Sequence, residues 1–122
     1  TLSSSSAASD VYKRQGLRFH VEHIIARQHG GDDEDGNLGL ACPDCNWRKG
    51  TNLTGVDPDS SQVTRLFHPR QDLWGDHFHA EVPRILGGTA EGRTTAWLLD
   101  MNSPIRLRHR LWLSQLGDWP PH

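Results

Sequence analysis

Three short stretches carry side chains that could meet at one chemical centre: His20-Val21-Glu22-His23, Asn37, and Cys42-Pro43-Asp44-Cys45 leading directly into Asn46-Trp47-Arg48-Lys49-Gly50. Glu22 offers a hard carboxylate oxygen for a divalent cation, and His23 an imidazole that titrates near neutrality and serves as a base. Asn46 can bring a neutral carboxamide oxygen to the same cation, with His20 as a further ligand. Such oxygen-rich ligation favours Mg²⁺ or Mn²⁺, and a nitrogen from His20 makes Ni²⁺ or Zn²⁺ acceptable. Each histidine also has a plainer reading as a hydrogen-bonded structural residue. Asn37, after Gly36, is placed to hydrogen-bond backbone and hold the long loop before it. The run Asp32 to Asp35 reads as a solvated loop, because its spacing lacks the EF-hand pattern.

The elements that must position these groups follow from local pattern. Residues 17–25 alternate and are rich in β-formers, which predicts a strand; His20 and Glu22 then share one face, and Val21 and His23 the other. Residues 38–41 form a second strand, making a hairpin with a long connection. Cys42-Pro43-Asp44-Cys45 reads as a tight turn, and residues 46–49 as a short helix stopped by Gly50. Residues 57–60 are a turn. Residues 62–67 and 76–82 read as strands, the latter pairing with 84–86 around Pro83. Helical spacing covers 90–101, with Trp97, Leu98 and Met101 in register, and 104–116, with Ile105, Leu111, Trp112 and Leu116 repeating. The fold class is α+β.

With 122 residues, the chain is the size of one domain, and its mean hydropathy of -0.66 implies a small core. No apolar stretch approaches the ~18 residues of a membrane span, so no membrane partner is expected. Net charge is -2, so contact with nucleic acid must be local. Two cysteines exclude a disulfide framework, and a lone C-x-x-C without βαβ context reads as half a zinc site rather than a redox pair. The five tryptophans are expected in the core. Arg106 and Arg110 share a helix face that is either solvated or tracks a phosphate backbone. Residues 1–15 are small, polar and aperiodic, and 10–15 resemble one frame of a sequencing-library adapter. They are expected to be an artefact outside the fold, with the native chain continuing upstream of Gly16.

From Phe19 to Gly50, the order Phe-His-Val-Glu-His-Ile-Ile, Asn37-Leu38, Cys-Pro-Asp-Cys-Asn-Trp-Arg-Lys-Gly resembles the HNH endonucleases of the ββα-metal superfamily. The stretch Leu66-Phe67-His68-Pro69-Arg70 to Trp74-Gly75-Asp76-His77-Phe78 is similar to the downstream region of bacterial members. The resemblance implies a ββα-metal core at 16–55, extended within one domain at 56–122 by a β-hairpin and two helices. It implies His23 as general base, Glu22 as metal ligand, Asn37 as the brace that orients the base, and Asn46 as the third motif position completing the metal site. Lys49, with Arg48 beside it, becomes a phosphate contact. Cys42 and Cys45 match half of a four-cysteine structural zinc knuckle, whose other pair would lie upstream of Leu17, where this chain has no cysteine.

The implied activity is metal-dependent hydrolysis of nucleic acid, with double-stranded DNA the expected partner and the bacterial cytoplasm the expected location. Two other classes compete. One is a non-catalytic zinc and nucleic-acid-binding fragment. The other is a zinc nucleobase deaminase, for which His20-Val21-Glu22 and the cysteine pair fit superficially, although Pro43 follows the first cysteine instead of preceding it.

Overall fold

The computed structural model describes residues 20–119, so residues 1–15 and 17–19 of the expected first strand lie outside the described residues. Helices and small antiparallel sheets alternate along the chain, which forms two compact units. One unit runs to Leu53 and takes in His68–Trp74; the other holds Thr54–Phe67 and Gly75–His122. No helix among the described residues is long and apolar enough to cross a membrane.

The first unit is built on β1 (His20–His23) and β2 (Leu38–Ala41), paired antiparallel with Glu22 opposite Gly39 and His23 opposite Leu38. The long connection between them is shaped by two 3₁₀ turns, Arg27–His29 and Asp35–Asn37. A helix, α1 (Pro43–Lys49), follows β2 at once. Its start corrects the turn expected at Cys42 to Cys45. Cys42 is the N-cap, its sulfur accepting from the Cys45 amide at 3.4 Å, and Pro43 occupies the first turn. Proline suits that position because its missing N–H would be unpaired there anyway. Gly50 ends the helix, its N–H donating to the Asn46 carbonyl. The segment after Phe67 returns to this hairpin. Arg70 Nε donates to the Leu38 carbonyl at 2.9 Å, and Pro69 sits where Gly39 has no side chain.

In the second unit, β3 (Thr54–Val56) and β4 (Val63–Arg65) pair around a turn organised by Asp57, so one hairpin stands where a single strand was expected. Asp57 is fully buried and accepts from the Asp59 amide, the Ser60 hydroxyl and both forks of the Arg93 guanidinium at 2.8 and 3.1 Å. A helical turn, α2 (Trp74–His77), which begins at the last residue of the first unit, precedes β5 (Phe78–Glu81), which pairs with β6 (Arg84–Gly87) around Pro83. Next comes α3 (Ala90–Leu98), capped by Thr89. It packs tightly because Gly92 brings the helix backbone against the His77 carbonyl, leaving no room for a Cβ. The last element is α4 (Pro104–Gln115). Leu66, Phe67, Phe78, Ile85, Leu113 and Trp119 are buried here, with Phe67 edge-on to Phe78.

The expectation that the tryptophans lie in the core is overturned. Ile105, Leu111, Trp112 and Leu116 lie on the exposed side of α4 and its C-cap, while Arg106, Arg110 and Leu113 face inward. Of the tryptophans, Trp119 is buried, whereas Trp47, Trp97 and Trp112 are exposed. The reason is demand for donors. Arg106 donates to the Leu99 carbonyl at the end of α3 (3.0 Å), a group the helix itself leaves without a partner. Arg110 donates to the Pro83 carbonyl (3.3 Å) and lies 5.6 Å from the Trp119 ring centroid.

Candidate active site

β1 ends at His23, and the chain bends at Ile24 and Ile25. Adjacent on β1, Glu22 and His23 both line one cleft of about 490 Å³. Asn46 from α1 lines the same cleft, with Ala26, Arg27, Gln28, Gly50 and Thr51. Gln28 and Thr51 hydrogen-bond across it at 3.1 Å. Thus one strand end and one helix bring together the carboxylate, the imidazole and the carboxamide. The backbone of His20 opens β1; its side chain is outside the described residues.

Glu22 is the electrostatic anomaly of this cleft. Its Oε2 is buried and has no hydrogen-bond partner among the described residues. Burial pushes its carboxyl above the ordinary range; nearby Lys49 opposes the shift and Cys42 adds to it. A buried acceptor left without a donor costs stability. The donor set, one carboxylate and one carboxamide on a shared wall, fits a hard cation. Among the described residues, no group of three or more His, Cys, Asp or Glu is arranged to hold a metal.

Asn37 is 9% exposed and spends its whole side chain on the backbone. Its Oδ1 accepts from the Ile25 amide at 2.8 Å, and its Nδ2 donates to the carbonyls of Ile25 at 2.9 Å and Asp32 at 2.8 Å. Its own carbonyl accepts from the Ile24 amide at 2.8 Å, extending the ladder one step past His23. The side chain therefore braces the bend that follows β1. Gly31 belongs to the same brace: a Cβ there would collide with the Ile25 carbonyl oxygen.

The expected cationic contacts are engaged within the chain. Arg48 pairs with Asp44 one turn earlier at 3.0 Å, and Lys49 Nζ reaches the His23 carbonyl at 3.4 Å, a long and weak bond. Arg106 and Arg110 are 5% and 8% exposed in the second unit, so the solvent-facing basic stripe expected of them is not there. Cys42 and Cys45 sit together at the start of α1, where Cys42 acts as a helix cap.

Composition hides three further residues. Asp33 lies inside the acidic run that reads as solvated, yet its Oδ1 is 2.7 Å from His23 Nε2. Gly31 is signalled by the Gly30-Gly31 pair, but only its closeness to the Ile25 backbone makes it sterically required. Arg70 gives no signal beyond its place in the downstream motif.

Residues 11–52 match the family model described as HNH endonuclease. That stretch is similar to the HNH endonuclease family. The match contains every cleft residue named above and begins inside the stretch expected to be an artefact. No curated protein and no solved structure matches the chain.

Proposed function

We propose that this protein is a metal-dependent endonuclease hydrolysing phosphodiester bonds of nucleic acid, with double-stranded DNA the first substrate to test. The observation that carries the reading is Glu22, whose Oε2 is buried with no hydrogen-bond partner among the described residues, on a residue that lines one cleft with His23 and Asn46. Glu22 and Asn46 would hold the cation, with His20 as a third ligand, and together they would form a ββα-metal core. Mg²⁺ or Mn²⁺ suits these oxygens best, and Ni²⁺ or Zn²⁺ becomes acceptable if His20 contributes. When bound, the cation stabilises charge on the phosphate and on the departing oxygen.

The chain's own residues supply the rest. His23 accepts the proton of the attacking water, a role typically worth about 10² to 10⁴ in rate. Asn37 holds the bend that aims the imidazole. Lys49 and Arg48 meet the phosphate backbone by exchanging their present weak or solvent-shared partners. The two-thiol cluster at Cys42 and Cys45 would hold structural zinc only with a second pair of ligands.

The test is conversion of supercoiled plasmid to nicked or linear form with Mg²⁺ or Mn²⁺, and its loss in EDTA. Cation-dependent strand breaks support the nuclease reading. Binding without breaks selects the non-catalytic fragment, and deaminated bases without breaks select the deaminase; either overturns it.

A further inference from the structure

The acidic loop does more than carry solvated charge. Asp33 Oδ1 lies 2.7 Å from His23 Nε2 and also accepts from Arg27 Nη2 at 2.9 Å and Nε at 3.2 Å. An ionised carboxylate only accepts, so the imidazole must be the donor and its proton sits on Nε2. In the neutral ring, that leaves the lone pair on Nδ1. No described residue hydrogen-bonds Nδ1, and the His23 side chain borders the cleft shared with Glu22 and Asn46.

The loop is also held. Asn37 Nδ2 fixes the Asp32 carbonyl at 2.8 Å, and Asp32 Oδ1 accepts from the Glu34 amide at 3.1 Å. The backbone on both sides of Asp33 is therefore pinned, and the brace from Asn37 continues through Asp33 to the imidazole. The His23 and Arg27 donors hold the Asp33 carboxyl below its ordinary range, so it stays ionised as an acceptor.

We propose that Asp33 is a positioning residue for His23. It fixes the ring in the Nε2–H tautomer and makes Nδ1 the basic atom, while Arg27 offsets a carboxylate that would otherwise repel an anionic substrate. The catalytic consequence rests on the nuclease reading; the tautomer and the hydrogen bond do not. A base held at one angle with one nitrogen bare gains over a freely rotating imidazole through orientation alone.

The experiment pairs steady-state plasmid nicking in Mg²⁺ with two-bond ¹H–¹⁵N spectra of the His23 imidazole. The proteins compared are the parent, Asp33→Ala, Asp33→Asn, His23→Ala and the His23→Ala/Asp33→Ala double variant. Asp33→Ala is expected to lower kcat about 10- to 100-fold with KM unchanged. Asp33→Asn, whose amide oxygen still accepts from Nε2–H, is expected to recover most of that loss. In the His23→Ala background, removing Asp33 is expected to cost nothing more. The parent spectrum is expected to show a hydrogen-bonded Nε2–H that Asp33→Ala loses. A kcat at the parental level in Asp33→Ala, a further loss in the double variant, or identical imidazole spectra with and without Asp33 would each overturn the proposal. An inactive parent defeats the nuclease reading instead, and the spectra still decide the role of Asp33.

Discussion

Replacing Asn37 tests the brace beneath the cleft. The side chain is 9% exposed and makes three bonds of 2.8 to 2.9 Å, to the Ile25 amide and to the carbonyls of Ile25 and Asp32. Asn37→Ala deletes all three at once. At about 1 kcal/mol net for each bond, the local cost is about 3 kcal/mol. Asn37→Asp retains the acceptor but turns a carboxylate oxygen toward two carbonyls that now lack donors. It should therefore be no better than alanine, despite being the smaller chemical change. The assay is native-state hydrogen exchange at the Ile25 amide, with equilibrium unfolding measured in parallel. A loss of about 3 kcal/mol corresponds to exchange about 100-fold faster. If Ile25 exchanges at the parental rate in both variants, and their stability lies within about 0.5 kcal/mol of the parent, the brace argument fails.

Further outcomes follow from the same geometry. Gly31→Ala should destabilise the chain by about 1 to 3 kcal/mol, because the new methyl meets backbone rather than a side chain that can move; thermal unfolding measures this. Glu22→Gln should raise the melting temperature in EDTA, since a neutral amide is cheaper to bury than an orphaned carboxylate. It should also abolish any thermal shift on adding Mg²⁺ or Mn²⁺. The Arg93 guanidinium holds the Asp57 carboxyl well below the usual carboxylate range. That contribution is complete above the unfolded value of about 4 and is lost as pH falls through the lowered folded value. Melting temperatures across the acid range should therefore fall steeply in the parent, and Arg93→Ala should start lower and fall less.

The parts of the fold readable from sequence are those whose cause is local. The strand at Leu38–Ala41 and the stop at Gly50 each follow from a few adjacent residues, and each is seen. Cys42 to Cys45 misleads because Cys-Pro looks like a turn, when proline is equally at home in the first turn of a helix. The terminal helix misleads more seriously. Its apolar repeat is real, but the buried side is decided by the carbonyls of Leu99 and Pro83, which require donors that Arg106 and Arg110 supply. No periodicity within the helix encodes a requirement set by another element.

The candidate site shows the same division. Glu22, His23 and Asn46 stand out by residue type, and the cleft does bring them together. What no local pattern shows is the brace on the bend after β1, where the distant Asn37 bonds the Ile25 backbone. Asp33 escapes notice for the opposite reason: four adjacent acids read as one solvated patch, and only the 2.7 Å contact to His23 separates it from its neighbours.

The most direct test of the nuclease reading compares single-turnover cleavage by the parent and His23→Ala, at saturating Mg²⁺, with DNA affinity measured alongside. The predicted result is a loss of cleavage of about 10² or more with binding essentially unchanged. Near-parental cleavage by His23→Ala would contradict it.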